Sequence, residues 1–220
     1  MTDHPASTKE RILTIAGDIF GEKGYKATTI RAIAARARVN VAAVNYHFGD
    51  KESLYAAILE EVFHTGFTRF PGDMDLPPQA SPQERLRAFV RAMFYRLQSR
   101  EGWGGLAGRG RLIARELLAP SPAFETMLDR YIKPHRDLLL DIIAAIVTAP
   151  CPREQLLPCA ISIIGQCIYY AVAAPVIGHI SPNNAPCEEN LDRLAEFVWV
   201  FSLGGIAAVK ATIPAPKEIL

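Results

Sequence analysis

Residues 28–59 read TTIRAIAARARVNVAAVNYHFGDKESLYAAIL, and this stretch decides the fold. It predicts three short helices separated by two tight turns. The first helix follows a threonine cap at Thr28 or Thr29, the second covers about residues 41–47 after a break at 38–40, and Asp50 caps the third. A short helix, a turn of three or four residues and a second short helix form a helix-turn-helix, whose second helix lies in the DNA major groove.

The order of these residues is similar to the DNA-binding domain of TetR-family transcription regulators. The resemblance covers about the first 60 residues, because the caps, the turn, the aromatic pair and the following lysine all lie in register. Within that family, NVAAVNYHF at 40–48 followed by GDKESLY at 49–55 resembles the CecR group, and the similarity continues at 115–122 and 165–170. The resemblance implies a dimeric DNA-binding protein that responds to a small molecule.

Basic residues are concentrated in the predicted DNA-binding region. The whole chain has a formal net charge of only +1, which by itself argues against a nucleic-acid partner. Between residues 23 and 51, however, the only acidic residue is Asp50, whereas the basic residues are Lys23, Lys26, Arg31, Arg36, Arg38 and Lys51. A basic segment on a mildly acidic remainder indicates contact with phosphates, although a solvated charged face has the same composition.

Apolar residues recur at helical spacing along the chain, and no stretch shows the alternation typical of a strand. The sequence therefore predicts an all-α fold with about nine helices. Residues 1–50 are expected to form a three-helix helix-turn-helix DNA-binding domain, and residues 51–220 a helical ligand-binding and dimerisation domain. Pro134 is expected to kink a helix over about 122–147, and the last two helices are expected over about 153–178 and 188–209.

Eight residues are predicted to contact DNA. The resemblance places Thr29 and Lys51 at helix starts beside the phosphate backbone, and it places Tyr46 against a phosphate. The exposed side of the second helix should read bases, because asparagine pairs bidentately with adenine and small apolar side chains contact thymine methyl groups. The base-reading candidates are Asn40, Val41, Ala42 and Asn45. Arg38 stands where the family commonly has glycine, and backbone strain and DNA contact both remain open for it.

The last two predicted helices are expected to hold two copies of the chain together. They are long, nearly uncharged on one face and rich in small residues that allow close approach of helices. In this family, two such helices from each subunit usually form a four-helix interface. A homodimer would present two DNA-binding units to the two halves of a palindromic operator of double-stranded DNA.

A small-molecule effector, bound among the C-terminal helices, is also implied by the resemblance. Aromatic and sulfur-containing side chains at helical spacing suit an apolar pocket with few polar groups, although plain core has the same pattern. The predicted pocket residues are Phe89, Met93, Phe94, Trp103, Tyr131, Gln166, Tyr169 and Tyr170. A largely apolar or aromatic effector is therefore expected to release the protein from DNA.

The sequence thus predicts a cytoplasmic, ligand-responsive repressor. Alternatives are an activator or dual regulator of the same fold, an interaction protein with a vestigial DNA-binding unit, and a helical enzyme. No catalytic triad, phosphate-binding loop or metal-ligand spacing is visible, so we predict no catalytic residue, no metal and no cofactor.

Two features of the C-terminal half allow more than one interpretation. The uncharged run over 155–187 is long enough to span a membrane, but its prolines and polar loop favour a helix buried in an assembly. The four cysteines form no C-x-x-C pair. They are expected to be reduced and buried, with a redox switch as the alternative.

Overall fold

A computed structural model describes residues 7–74, 76–105 and 109–212, and within these ranges the chain is helical, without a β-strand. The prediction of an all-α fold is confirmed. The helices are α1 (Thr8–Ala27), α2 (Ile30–Ala37), α3 (Val41–Phe48), α4 (Lys51–Arg69), α5 (Pro82–Gln98), α6 (Gly110–Leu118), α7 (Pro122–Met127), α8 (Lys133–Val147), α9 (Arg153–Val172), α10 (Ala174–Ile180) and α11 (Leu191–Lys210). We call α1–α3 the head and the later helices the body.

Two serine capping boxes fix the starts of α1 and α5. Ser7 accepts a hydrogen bond from the backbone of Glu10, whose carboxylate accepts from the Ser7 backbone in return. Ser81 and Glu84 repeat this arrangement at α5, where Pro82 occupies the first helical position. Each box satisfies two backbone N–H groups that the helix itself leaves without a partner.

The body is built around α5. The inner face of α5 is buried and consists of Leu86, Phe89, Val90, Phe94 and Leu97. This face packs against α8, α9 and α11, as the spacing of the apolar residues predicts. The later helices therefore share one core with α4, which leads from the head into the body.

Close packing between α4 and the loop after α5 requires a glycine inside a helix. The Trp103 indole Nε1 donates a hydrogen bond of 2.9 Å to the Val62 carbonyl oxygen. A Cβ atom at Gly66 would lie 2.3 Å from that same nitrogen. Any larger residue at position 66 would therefore collide with the indole ring, which explains a residue that is otherwise unfavourable in a helix interior.

Two proline-containing regions hold features that the sequence does not predict. Just before Pro134, where a kink is predicted, residues Leu128–Ile132 form a π-helical turn that joins α7 to α8. The wider turn accommodates the missing proline N–H without interrupting the helix. The helix predicted over 153–178 breaks at Ala173, just before Pro175, and becomes α9 and α10. When α7, the π turn and α8 are counted as one continuous helix, the described residues contain ten helices. The sequence predicts about nine, and the additional helix results from the break at Ala173.

The cysteines are less buried than predicted. Cys167 is fully buried, and burial raises the pKa of its thiol to about 12. Cys151 and Cys159 are half-buried beside the core, whereas Cys187 is exposed. The expectation of burial is therefore wrong for Cys187, which lies in the irregular segment between α10 and α11.

Candidate nucleic-acid interface

A small apolar core orients the recognition helix of the head. Phe20 of α1 is buried together with Ile33 and Ala37 of α2, and α3 contributes one fully buried side chain, that of Val44. Because only this side of α3 faces inward, the opposite side of the helix is directed to solvent. The helix-turn-helix thus presents its second helix as an external surface.

All but one of the predicted DNA contacts are exposed to solvent. Tyr46 is 86% exposed, which is unusual for an aromatic side chain without an outside partner. The exposed residues are Thr29, Arg38, Asn40, Val41, Ala42, Asn45 and Tyr46, and Lys51 is half-buried. The four of these residues that belong to α3 are spaced i, i+1, i+4 and i+5, and this spacing places them on one face of the helix. They are Val41, Ala42, Asn45 and Tyr46.

Asn40 has a structural role that limits its use for reading bases. Its Oδ1 atom accepts a hydrogen bond of 2.7 Å from the backbone of Ala43, which makes Asn40 the N-cap of α3. A bidentate pair with adenine needs both the oxygen and the nitrogen of the amide. In this geometry Asn40 offers its Nδ2 atom alone, so Asn45 is the asparagine that retains both groups.

Arg38 occupies the turn in the left-handed conformation, with φ 53° and ψ 47°. The Arg38 N–H donates to the Ala35 carbonyl oxygen and the Val39 N–H to that of Ala34, which is the hydrogen-bond pattern of a Schellman motif. A residue with a Cβ atom pays about 1 kcal/mol for this conformation, which glycine adopts freely. Backbone strain is therefore present at Arg38, whereas a DNA contact of its exposed side chain stays a prediction.

Helix starts offer two places for phosphate. Thr29 caps α2 by accepting a hydrogen bond of 3.2 Å from the Ala32 N–H, and a helix start leaves its other first N–H groups without an intrahelical partner. At α4 the cap is Asp50, which accepts from Ser53, and this hydrogen bond lowers the pKa of the Asp50 carboxyl. The next residue, Lys51, adds a positive charge beside this acidic cap. Its Nζ atom lies 4.4 Å from the centre of the Tyr25 ring.

The basic footprint of the head is smaller than the charge count indicates. Arg36 forms an ion pair of 3.1 Å with Glu22, which lies just outside the counted segment. Lys23, Lys26, Arg31 and Arg38 are exposed and form no ion pair with any described residue. Lys26 and Arg31 are absent from the predicted DNA contacts, although their exposure makes them available for phosphates.

Consecutive residues of α6 join the head to the body. The Arg115 guanidinium donates to the carbonyl oxygens of Gly21 and Glu22 in α1, at 2.9 and 2.7 Å. The neighbouring Glu116 accepts a hydrogen bond from the Tyr55 hydroxyl, and both side chains are buried. Tyr55 in turn contacts the aromatic rings of α1, Phe20 and Tyr25. The orientation of the head thus depends on the position of α6.

An exposed apolar face covers one side of α9–α11. Its large side chains are Ile161, Tyr169, Val172, Val176, Ile180, Phe197, Val200 and Phe201. Gly204 and Gly205 lie on the same side of α11, and an added Cβ atom at either would meet no neighbouring atom. Among the small residues of α9, Ala171 is buried within the fold and does not belong to this face.

Helix α9 is, within the described ranges, the one helix that is long and apolar enough to cross a membrane by length and composition. Helices that pack in a core or an interface pass the same test.

The predicted ligand-binding residues separate into two groups. Phe89, Phe94, Trp103 and Tyr131 are buried in the body, with Met93 packed against them. Gln166, Tyr169 and Tyr170 instead line an open groove of about 680 Å³ between α9 and α11, on the exposed apolar face. Phe89, Trp103 and Tyr131 therefore lie around Phe67 and His135, whereas the Phe94 ring packs against that of Tyr170, with centroids 5.4 Å apart, so the two groups meet there.

The interior region contains a charged residue that the sequence analysis did not single out. Arg96 is buried, and its guanidinium stacks on the Phe67 ring at 3.9 Å. Its Nη2 atom donates to the Phe70 carbonyl oxygen at 2.5 Å and lies 3.1 Å from Nε2 of His135. Arg96 follows Phe89 by seven residues and Met93 by three, so helical spacing alone assigns it to the inner face of α5.

Ionisation in this region follows from burial. Burial lowers the pKa of Arg96 to about 9, which leaves the guanidinium charged at neutral pH. Burial and the Arg96 charge together lower the pKa of His135 to about 4, so its imidazole is neutral. His135 Nε2 then accepts the Arg96 hydrogen bond. Across the described part of the chain, no cluster of histidine, cysteine, aspartate and glutamate has the arrangement of a metal site.

Two family profiles match the chain. Residues 12–58 match the family described as bacterial regulatory proteins, tetR family. Residues 82–206 match the C-terminal domain of the HTH-type transcriptional dual regulator CecR. The second match alone spans more than half of the chain.

Individual relatives agree with these profiles. The chain is similar to the HTH-type transcriptional dual regulator CecR of Shigella flexneri, with 33% identity over 159 residues, which are 66% of this chain and 67% of that protein. It is also similar to the HTH-type transcriptional repressor KstR2 of Mycolicibacterium smegmatis, with 31% identity over 96 residues, which are 44% and 46% of the two chains.

A solved structure shares the fold over nearly the whole length. A bacterial regulatory protein in the tetR family from Rhodococcus RHA1 superposes with a TM-score of 0.63 and 24% identity, covering 91% of this chain and 97% of that one. At this identity the likeness concerns the fold alone.

Proposed function

The chain belongs to the TetR family of bacterial transcription regulators, and from this membership we propose that it is a ligand-responsive repressor which binds a palindromic operator as a homodimer. The family consists of DNA-binding regulators rather than enzymes. We assign residues 1–50 to DNA binding and residues 51–220 to ligand binding and dimerisation. We also propose a cytoplasmic location, where its DNA partner is found.

The exposed face of α3 carries the proposal for DNA binding. Asn45 has a free amide with donor and acceptor groups, while Val41 and Ala42 offer the apolar surface that suits thymine methyl groups. Tyr46, Thr29, Arg38 and Lys51 surround this face with groups that suit phosphate oxygens. Asn40 supports the site by fixing the start of α3 and contributes one donor.

The exposed apolar face of α9–α11 supports the homodimer. Monomeric proteins rarely expose this many large apolar side chains on one surface. Glycines on the same side of α11 allow a second helix to approach closely. The two heads of such a dimer would match the two-fold symmetry of a palindrome.

The effector proposal rests on the interior region around α5. Phe89, Met93, Trp103 and Tyr131 offer an apolar and aromatic environment beneath the head. Because Arg115 and Glu116 connect α6 to α1 and α4, a ligand that shifts α6 would change the angle of the head. A ligand that prefers one head position over the other is sufficient for release from DNA.

A salt titration of operator binding tests the proposal. A fluorescent palindrome from the region upstream of the gene is titrated with the full chain between 50 and 200 mM salt. Because basic side chains displace counterions from phosphates, affinity should fall steeply as salt rises, with a negative linear slope of log K against log [salt]. Binding that is unaffected by salt, or equal for a scrambled duplex, would contradict operator recognition.

One relative suggests a wider regulatory role. CecR of Shigella flexneri is named a dual regulator, so activation at some promoters is a second candidate function for this chain. The same DNA contacts serve either outcome. Transcript levels around each bound site, compared between the intact strain and a deletion strain, distinguish the two.

A further inference from the structure

The buried guanidinium of Arg96 has no anionic partner among the described residues. Its side chain is 1% exposed, yet no carboxylate of any described residue lies within ion-pair distance. Its Nε atom makes no hydrogen bond, and Nη1 faces the Met93 sulfur at 3.5 Å, which is a weak acceptor. Buried charges in proteins are ordinarily paired, so a cation that remains charged here without a counter-ion is unusual.

The known contacts of Arg96 compensate only part of this charge. The Phe70 carbonyl oxygen and His135 accept from Nη2, and the face of the Phe67 ring lies against the guanidinium plane. All of these groups are neutral, and none replaces the hydration that a free guanidinium would have. The donors of Nε and Nη1 therefore remain available to an incoming acceptor.

Apart from His135 and the buried thiol of Cys167, whose pKa is raised by burial, the surroundings of Arg96 are apolar. The rings of Phe67 and Phe89 lie beside His135, and the Leu138 side chain approaches Gly72 in the loop after α4. Met93 is the residue that faces Nη1, and an unbranched thioether side chain moves aside more readily than a ring. A ligand that displaces Met93 would meet a positive charge at one end and hydrocarbon around the rest.

We propose that the effector is an organic acid whose carboxylate pairs with Arg96 and whose apolar or aromatic body packs among Phe67, Phe89 and Met93. The proposal rests on the proposed function, because it specifies the chemical class of the same effector. Arginine suits this role because its planar donors bind a carboxylate in two parallel hydrogen bonds. The carboxylate would compensate the charge that the protein leaves unpaired.

The position of Arg96 connects such a ligand to the DNA-binding head. Arg96 holds the carbonyl oxygen of Phe70, which is the C-cap of α4, and α4 begins beside the recognition helix. An acid that draws the guanidinium away from Phe70 would release the C-terminal end of α4. Helix α4 also carries Tyr55, whose hydroxyl reaches Glu116 on α6.

Acids compared with their neutral amides provide the test. Benzoate, 2-naphthoate, 4-phenylbutanoate and dodecanoate, each with the corresponding amide, are titrated by calorimetry into the full-length protein without DNA. At least one acid should bind ten-fold or more tightly than its amide. If every acid binds no better than its amide, the proposal is overturned.

Variants locate the preference at Arg96. R96M removes the charge at similar side-chain length and should abolish the preference for acid over amide. R91M is the control, because it changes an exposed arginine of the same helix, and it should retain this preference. If R96M does not fold, R96K should keep part of the preference and R96Q none. A preference that survives in R96M or R96Q would overturn the proposal.

Operator release is measured separately with the acid that binds best. Release that requires Arg96 supports the acid as the effector. If the acid binds through Arg96 but leaves operator binding unchanged, the anion site stands and its regulatory role is overturned. If no acid is preferred while the operator is still bound in a salt-dependent manner, this inference fails and the DNA-binding function does not.

Discussion

The hydroxyl of Tyr55 on α4 donates a hydrogen bond to the carboxylate of Glu116 on α6, and the two side chains are 1% and 2% exposed. The same carboxylate accepts from the backbone and the hydroxyl of Ser121, both at 2.9 Å. Burial, together with the hydrogen bond to Glu116, raises the pKa of Tyr55, so the phenol remains a donor at any ordinary pH. A buried carboxylate is thus stabilised by neutral donors alone.

Removal of the Tyr55 hydroxyl should destabilise the protein measurably. Y55F leaves the Glu116 carboxylate buried with one donor fewer, and we expect the free energy of unfolding to fall by about 2 kcal/mol. Urea denaturation measures this change. Y131F is the matched control, since Tyr131 donates to Glu60, a partly exposed carboxylate that water can solvate instead. An equal loss in both variants would contradict the importance of burial.

Asn45 should determine operator affinity without affecting stability. N45A removes an exposed amide from the middle of the α3 face, and we expect a loss of about 1–3 kcal/mol in binding to the specific operator. Fluorescence anisotropy on specific and scrambled duplexes measures this loss of binding free energy. N183A, which changes an exposed asparagine far along the chain in the turn after α10, is the control and should bind normally. Unchanged discrimination in N45A would contradict base reading by this residue.

Arg38 should show opposite effects on stability and on DNA binding. R38G relieves the left-handed strain, so the free energy of unfolding should rise by about 1 kcal/mol. The same change removes an exposed positive charge, so the slope of log K against log [salt] should become shallower by about 1. R38K, which keeps both the strain and the charge, should resemble the wild type in both measurements. A stabilised R38G with an unchanged salt slope would exclude a phosphate contact.

The exposed face of α9–α11 should control the oligomeric state. Phe201 is 62% exposed on this face, and F201D would place a charge where the partner's apolar surface is expected. We expect a monomeric mass for F201D and a dimeric mass for the wild type at micromolar concentration, by sedimentation velocity. L118D is the control, because Leu118 is 87% exposed on α6 and lies outside the face. Dimerisation of F201D would argue for another interface.

Stability should decrease in mild acid because of His135. Its folded-state pKa is about 4, lowered first by burial and then by the Arg96 charge, against 6.5 ordinarily. The unfolded chain therefore binds the proton more readily than the folded chain. The contribution of neutral His135 to the free energy of unfolding is complete above pH 6.5 and is lost as the pH falls towards 4. We expect a loss of about 1 kcal/mol between pH 7 and 5, after allowance for partial exposure.

Two histidine variants isolate this contribution. H135Q should remove its part of the pH dependence in urea denaturation at several pH values. H64Q changes an exposed histidine of α4 and should retain the wild-type dependence. A pH dependence that H135Q leaves unchanged would assign the effect to other groups.

Sequence reasoning succeeded where the determinants are local. The caps at Thr29 and Asp50, together with the spacing of apolar residues, define the helix-turn-helix almost residue by residue. The exposed face of α3 follows from the same periodicity, because one buried valine fixes which side faces outward. The roles of these residues toward DNA stay predictions.

The remainder depends on contacts between distant parts of the chain. Arg96 meets Phe70 and His135, which are 26 and 39 residues away, so its lack of a counter-ion could not be read from α5 alone. Gln166 and Tyr169 were grouped with Phe89 by composition, whereas the packing of α9 against α11 directs them to an outer groove. The π turn before Pro134 is also not predicted, because the spacing of apolar residues does not distinguish an α turn from a π turn.

The contact between Gly66 and Trp103 predicts how homologous sequences should vary. With the indole nitrogen 2.3 Å from the place of a Cβ atom, alanine at position 66 and tryptophan at position 103 exclude each other. Relatives with alanine or serine at the first position should therefore carry a smaller residue at the second, and the two substitutions should appear together in evolution. A lineage that acquired only one of them would have to move α4 away from the loop that follows α5.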